Sequence, residues 1–273
     1  EFQVKSFTRL LFALSMLLFP SFLLGQDAAE EPAPKACRPL FSTSAAPAEP
    51  GVLELEFGAQ WISNRDRSED RCFPTQLNLG ITSWFDLRLG WSGPALRKDS
   101  QGDDQQGGSD PLLGGQVLFL PQDAAGLDLG LAYWHKFPRA SVGKGIGTGK
   151  HDDTLLLTAS RTLGRWAFDL NAGANWLGRC EGEGRVRQGA VSLAVTCALS
   201  PGWNLTLDTY ALAATELNAR AVSSILALSR DLTPNLCVDV GVEAGLTQGA
   251  PRLSLNAGLA WRIGRPGGRN GDR

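Results

Sequence analysis

Acidic residues recur at one place in a repeating pattern, and they are the side chains of this chain best suited to do chemistry. Glu54 or Glu56, Asp86, Asp128, Asp169, Asp208 and Asp239 each fall on the polar side of an alternating segment, a few residues past a turn-forming stretch. Arg88, Asn171, Glu243, Arg252, Asn256 and Arg262 share that side. Carboxylates set in a ring filter solutes by charge, as they do in cation channels. The same residues suit a network of hydrogen bonds and ion pairs bracing a wall, since buried charges need partners. Glu243 on one segment and Arg252 entering the next would let acids and bases meet across that wall. Both readings stand on the sequence.

The elements that must position these groups are β-strands. Arg165 to Leu177 reads R-W-A-F-D-L-N-A-G-A-N-W-L, with Trp166, Phe168, Leu170, Ala172, Ala174 and Trp176 on one face and Asp169, Asn171, Gly173 and Asn175 on the other. A strand sends successive side chains to opposite faces, so one face is apolar and one polar. Ten residues separate the two indoles. At a strand rise of roughly 3.3 Å and a tilt of about 40°, they stand about 25 Å apart along a barrel axis, the height of the apolar band of an outer-membrane barrel. Aromatic rings edge such a band because their bodies favour lipid and their polar atoms the headgroups. Trp61, Trp91, Tyr133, Trp203 and Trp261 fit the same role.

About twelve segments carry this pattern: 52–63, 75–81, 85–92, 112–120, 127–135, 154–160, 165–177, 188–199, 203–213, 222–228, 236–246 and 252–263. Tight connections rich in Gly, Pro and Asn alternate with the long, charged, Gly-rich stretches 64–74, 93–111, 136–153 and 178–187. Short turns on one side and long loops on the other are the rule for bacterial barrels, and put both termini in the periplasm. The fold expected is therefore all-β, a transmembrane antiparallel up-and-down barrel. Twelve strands about 4.8 Å apart give a backbone diameter of about 24 Å and about 10 Å of free width. Gly58, Gly80, Gly90, Gly130, Gly173, Gly241 and Gly258 fall on the inward face, where they would keep that lumen open. Arginine in place of Leu170 should be costly, and in place of Asn171 far less so.

Other constellations carry less. Gly143–Lys150, G-K-G-I-G-T-G-K, fails the phosphate-loop spacing because Lys144 occupies the first glycine position and His151 follows Lys150. There are two histidines. His135 is in phase with the lipid-facing residues near a strand end, the place where outer-membrane lipid hydrolases keep a base, yet no H-x-S pattern accompanies it. No catalytic residue, metal-ligand spacing or cofactor motif is visible. Cys72 and Cys180 fall in expected loops, in a compartment that permits a disulfide. A net charge of −2 offers no field for nucleic acid.

Residues 1–25 have a basic flank, a short apolar run broken by Pro20 and a small residue before acidic sequence, the pattern of a secretory signal peptide. Residues 26–50, rich in Ala, Pro and Glu, read as a disordered periplasmic lead-in, 51–264 as the barrel and 265–273 as a basic tail.

From about Gly51 to Gly264 the chain resembles the outer-membrane transporters of the meta-pathway phenol-degradation family. The residues that carry the resemblance are Gly108-Ser109-Asp110 leading into Leu112–Phe119, Phe137-Pro138, Gly147-Thr148-Gly149 before Asp152-Asp153, and Leu236-Cys237-Val238-Asp239-Val240-Gly241. Pro138-Arg139-Ala140 stands where the family tends toward Pro-Thr-Gly. The resemblance implies a barrel and uptake of hydrophobic or aromatic compounds. The expected partners are outer-membrane lipid, a small-molecule solute and the barrel-assembly machinery, with the chain a monomer. A structural or surface-display barrel with a plugged lumen, an outer-membrane lipid hydrolase and a soluble periplasmic β-protein are the alternatives.

Overall fold

The computed structural model describes residues 38–179 and 182–264. The signal peptide, the lead-in as far as residue 37, Cys180 and the basic tail lie outside them. Among the described residues no helix is long and apolar enough to cross a membrane, which says nothing of a barrel.

Fifteen strands form one sheet: β1 (Leu53–Ser63), β2 (Glu69–Cys72), β3 (Thr75–Thr82), β4 (Phe85–Trp91), β5 (Pro94–Lys98), β6 (Asp104–Gly108), β7 (Pro111–Leu120), β8 (Asp128–Lys136), β9 (Asp152–Leu163), β10 (Trp166–Gly178), β11 (Arg185–Ser200), β12 (Trp203–Leu212), β13 (Ala221–Thr233), β14 (Leu236–Gly245) and β15 (Leu253–Ile263). Twelve of them, all but β2, β5 and β6, make a closed antiparallel barrel. β15 returns to β1 along its whole length, from Leu53↔Ile263 to Ser63↔Leu253, so no edge is left in the ring. Each of the twelve alternating segments of the sequence is one barrel strand, with ends shifted by a few residues.

The alternation has the physical sense of a barrel in lipid. Outward residues such as Leu157, Leu207, Leu226, Val240 and Leu255 are exposed, while Asp86, Gln116, Thr158, Asp208 and Ser254 on the opposite face are fully buried. Apolar outside and polar inside inverts the order of a soluble domain.

The three remaining strands extend the loop end. β2 continues the pairing of β1 past β3, from Gln60↔Cys72 to Ser63↔Glu69, and β5 and β6 add to it as a hairpin. At the hairpin's tip the N–H groups of Gln101, Gly102 and Asp103 donate to one oxygen of Asp99, each at 2.9 Å. These backbone bonds, that from Asp103 first, hold its carboxyl below the usual range. The family-like residues also meet at the loop end. Asp110 accepts from the N–H groups of Arg139 and Ala140 at 2.7 Å, and its other oxygen lies 3.7 Å from Lys136 Nζ.

The lead-in expected to be disordered is, from Arg38 to Pro50, part of the barrel interior. It runs around the inner wall as a belt. Arg38 and Pro39 lie against Gly58, Gly258 and Gly241, Ser42 against β12, Thr43 against β10, Ala45 against β8 and β9, Ala48 against β4, and Glu49 against Gly80 of β3. Ser42, Ala45 and Ala48 are buried. Thirteen residues, at up to roughly 3.3 Å each, are long enough to follow a large part of the inner circumference.

Candidate functional site: the belted lumen

The inward polar residues are where the chain directs its chemistry, and several of them hold the belt. Asp208 accepts from Phe41 N (2.7 Å), Ser42 N (2.8 Å) and Ser42 Oγ (2.8 Å). Asn171 accepts from Thr43 N at 2.7 Å and donates to Thr43 O at 2.8 Å. Ser160 Oγ accepts from Ala45 N and donates to Asp169, and Gln116 donates to Ser44 O. Asp86 is held by both ends of the Arg88 guanidinium at 2.9 Å, and accepts from Ala48 N at 3.0 Å and Gln116 N at 3.1 Å. Arg88 Nη1 also donates to Thr43 Oγ1. The belt is part of no strand ladder, so these side chains supply the partners its buried N–H groups require.

The other residues of the set are dispersed. Arg262 lies 3.4 Å from Glu54 and 3.5 Å from Glu49 of the belt. Glu56 accepts from Asn78 at 3.0 Å. Asp128 accepts from the N–H of Gln122, which begins the short helix α1 (Gln122–Ala125). Asn256 is buried on the same face. Among the described residues neither oxygen of buried Asp239 has a hydrogen-bond partner, and unbonded Arg38 Nε lies beside the same glycine, Gly258, with Nη2 beside Gly58. Glu243 and Arg252 do not meet. Glu243 is held by Tyr210 OH at 2.6 Å and Ser254 Oγ at 2.8 Å, and Arg252 donates to Ser63 Oγ.

Three expectations are corrected by this geometry. Five of the seven inward glycines, at 58, 80, 130, 241 and 258, do not widen the lumen but admit the belt: a Cβ on Gly80 would sit 1.9 Å from Glu49 O, one on Gly58 2.2 Å from Arg38 Nη2, and one on Gly241 2.5 Å from Pro39. The unobstructed lumen drawn from strand number alone is accordingly narrowed from within. Asn171 is not a tolerant position either, since it is 1% exposed and holds the belt by two bonds.

The belt separates two unlike regions. On the side of the short turns, Leu40, Ser42 and Ser44 roof a cavity of about 230 Å³ lined by Asp128, Asp169, Asp231, Arg161 and several hydroxyls. On the side of the long loops the inner wall carries an apolar patch, with Ala132, Leu156 and Ala190 buried together and Leu212 packed on them, beside the hydrogen-bonded polar set Thr154, Asn175 and Gln188. Trp134 and Leu112 flank Gly90 on the same side.

The aromatic residues lie near the strand ends. Trp91, Tyr133, Trp166 and Trp261 are exposed, and Trp61, Trp176 and Trp203 half-buried. Arg230 stacks on Trp203 at 4.8 Å and Arg165 on Trp166 at 5.6 Å. Trp61 donates to Glu69 and Trp91 to Ser109 O. His135 does gain an acidic partner, with Nδ1 2.7 Å from Asp153 Oδ1. Its Nε2, however, meets His151 Nδ1 at 3.0 Å, where a hydrolase would keep its serine. Cys72 is a free thiol 3.4 Å from Gln60 Oε1. Among the described residues no three His, Cys, Asp or Glu side chains gather as they would around a metal ion.

A closed twelve-stranded barrel with a lipid-compatible exterior and a polar, belted interior defines a β-barrel protein of the outer-membrane fold. The chain belongs to the family described as "Putative MetA-pathway of phenol degradation", whose model matches residues 39–263 and so takes in the belt. Among solved structures it is similar to the COG4313 outer membrane channel from Pseudomonas putida F1, with a TM-score of 0.61 at 14% identity, covering 85% of this chain and 100% of that one. It is also similar to the NanC porin (TM-score 0.54, 10% identity, 77% and 100% covered). The KdgM porin, solved in complex with disordered oligogalacturonate, gives a TM-score of 0.51 at 7% identity, with 77% and 98% covered. None of the curated proteins matches.

Proposed function

We propose that this chain passes small hydrophobic or aromatic molecules across the outer membrane, with the belt as its internal constriction. The observation that carries the reading is the split lumen. An apolar patch at Ala132, Leu156, Ala190 and Leu212 lies on the long-loop side, and an acidic, hydroxyl-lined cavity lies beyond the belt. Apolar solutes gain from leaving water at the first region. In the second, a solute bearing a hydroxyl or an amine finds acceptors. The phenol-degradation family points the same way. The long loops face outward, both termini face the periplasm, and the chain works as a monomer inserted by the barrel-assembly machinery. It acts by letting solutes through rather than by chemistry on them.

The experiment is uptake of phenol into liposomes holding the purified chain, beside uptake of a sugar of similar size. Faster phenol entry, enhanced further when the belt is removed, supports the reading. The number of belt hydrogen bonds favours a second reading, a structural or display barrel permanently closed by its own belt. No flux of either solute, with or without the belt, selects that one.

A further inference from the structure

At the loop end of β8 to β11 the register places four outward residues in one row. His135 is opposite Asp153, Asp153 opposite Trp176, and Trp176 opposite Arg187. Four neighbouring strands at about 4.8 Å put roughly 14 Å between the row's ends. Trp176 fixes the level of the row, since it is the upper indole of the apolar band on β10. The row is structured rather than loose. Asp153 is its hub, accepting from Tyr133 OH at 2.5 Å and from His135 Nδ1 at 2.7 Å, and pairing with the Arg185 guanidinium one step nearer the loops. His151 Nδ1 lies 3.0 Å from His135 Nε2, so the two rings are tied together. Arg185 remains 43% exposed despite its partner. Arg187 is exposed and takes part in no hydrogen bond or ion pair among the described residues.

We propose that this row, with Arg185 above it, is a binding site for the phosphorylated headgroup of the outer-leaflet glycolipid. Two guanidiniums against one carboxylate leave a net positive charge at the depth where that leaflet carries its phosphates. Arginine forks match phosphate oxygens in a bidentate way. Asp153 orients Arg185 and His135 without cancelling Arg187, and the Trp176 indole lies beside the acyl–headgroup boundary. The proposal rests on the outward orientation of the long loops. Cleavage of the Asp99–Asp103 turn by protease on intact cells tests that orientation separately from the binding itself.

The test is native mass spectrometry of the detergent-solubilised chain with diphosphorylated lipid A. Dephosphorylated lipid A and inorganic phosphate serve as the comparison ligands. Arg185→Gln with Arg187→Gln should lower lipid A retention at least tenfold. Arg71→Gln with Lys98→Gln, which removes the same charge from the β2–β5 extension, should leave it unchanged. All variants are first checked for heat-resistant folded mobility. Arg187→Gln alone, which breaks no internal bond, should weaken retention several-fold and serves if the double variant does not fold. Equal retention by wild type and the Arg185/Arg187 variant would overturn the proposal, as would equal loss in both double variants. Equal retention of dephosphorylated lipid A would exclude the phosphate. Inorganic phosphate competing as well as lipid A would show a free-phosphate site and sink the lipid assignment.

Discussion

Replacing Asp208 by Asn should loosen the belt without unfolding the barrel. The Asp208 carboxylate takes three bonds from Phe41 and Ser42, all between 2.7 and 2.8 Å, in a fully buried position. Hydrogen bonds to a charged acceptor contribute about 1.5–3 kcal/mol each, and they are not additive. An amide keeps one acceptor oxygen and turns an NH₂ toward the other donors, so at least one bond and the charge assistance are lost. A cost of about 2–4 kcal/mol to belt attachment follows, which raises the detached population roughly 30- to 900-fold. Hydrogen–deuterium exchange of residues 38–50 reads that population directly, because local opening governs exchange of bonded amides. The amides of Phe41, Ser42 and Thr43 should exchange faster by that factor, while those of β10 and β11 keep the wild-type rate. Unchanged exchange in the belt of a folded Asp208→Asn chain would refute the claim that this carboxylate holds it.

Gly80→Ala should act on the same segment by sterics, since its Cβ would meet Glu49 O at 1.9 Å, whereas Gly143→Ala points into open space and should leave belt exchange unchanged. Leu207→Arg, on the outward face of β12 next to Asp208, should cost about 2–4 kcal/mol in equilibrium unfolding, the penalty for arginine near the bilayer midplane; a cost under about 1 kcal/mol would contradict the face assignment. Protease added to intact cells should cut at the Asp99–Asp103 turn of the β5–β6 hairpin, and cutting only after the outer membrane is disrupted would reverse the orientation.

The sequence shows the barrel clearly and the extension and the belt hardly at all, and the reason lies in what each element touches. A strand such as β10 meets lipid on one side and polar groups on the other, so its residues must alternate, and Trp166 and Trp176 mark the two interfaces. β2, β5 and β6 read EDRC, PALRK and DQQGG because they stand clear of the apolar band and nothing demands an apolar face. The belt is harder still. L-F-S-T-S-A-A-P-A-E-P has the composition of a linker, and it is held through its backbone N–H groups, which no sequence displays. Its trace was the row of inward glycines at 58, 80, 130 and 241, whose missing side chains leave room for a second chain segment rather than for solvent. The acids were legible as inward groups, but not their partners, because a carboxylate bonded to a distant backbone amide looks like one that filters ions.

Those partners bear on how such a belt could move. A soluble core that lost thirteen residues would leave buried carboxylates without partners, at several kcal/mol each. A barrel lumen differs, because water can take the place of the departing segment. Each belt bond is then exchanged for one to water, and the net loss falls to about 0.5–1.5 kcal/mol for a neutral pair and somewhat more for a charged one. Asp208, Asn171, Ser160 and Asp86 can therefore hold Ser42, Thr43, Ala45 and Ala48 firmly when the belt is seated, and tolerate its absence when it is not. The entropy lost on ordering an otherwise linker-like segment opposes the seated state. Attachment is thus a difference of two opposing terms. That balance is what lets a single substitution at Asp208 or Gly80 shift the belt while the twelve-stranded wall, closed by β15 on β1, stays as it is.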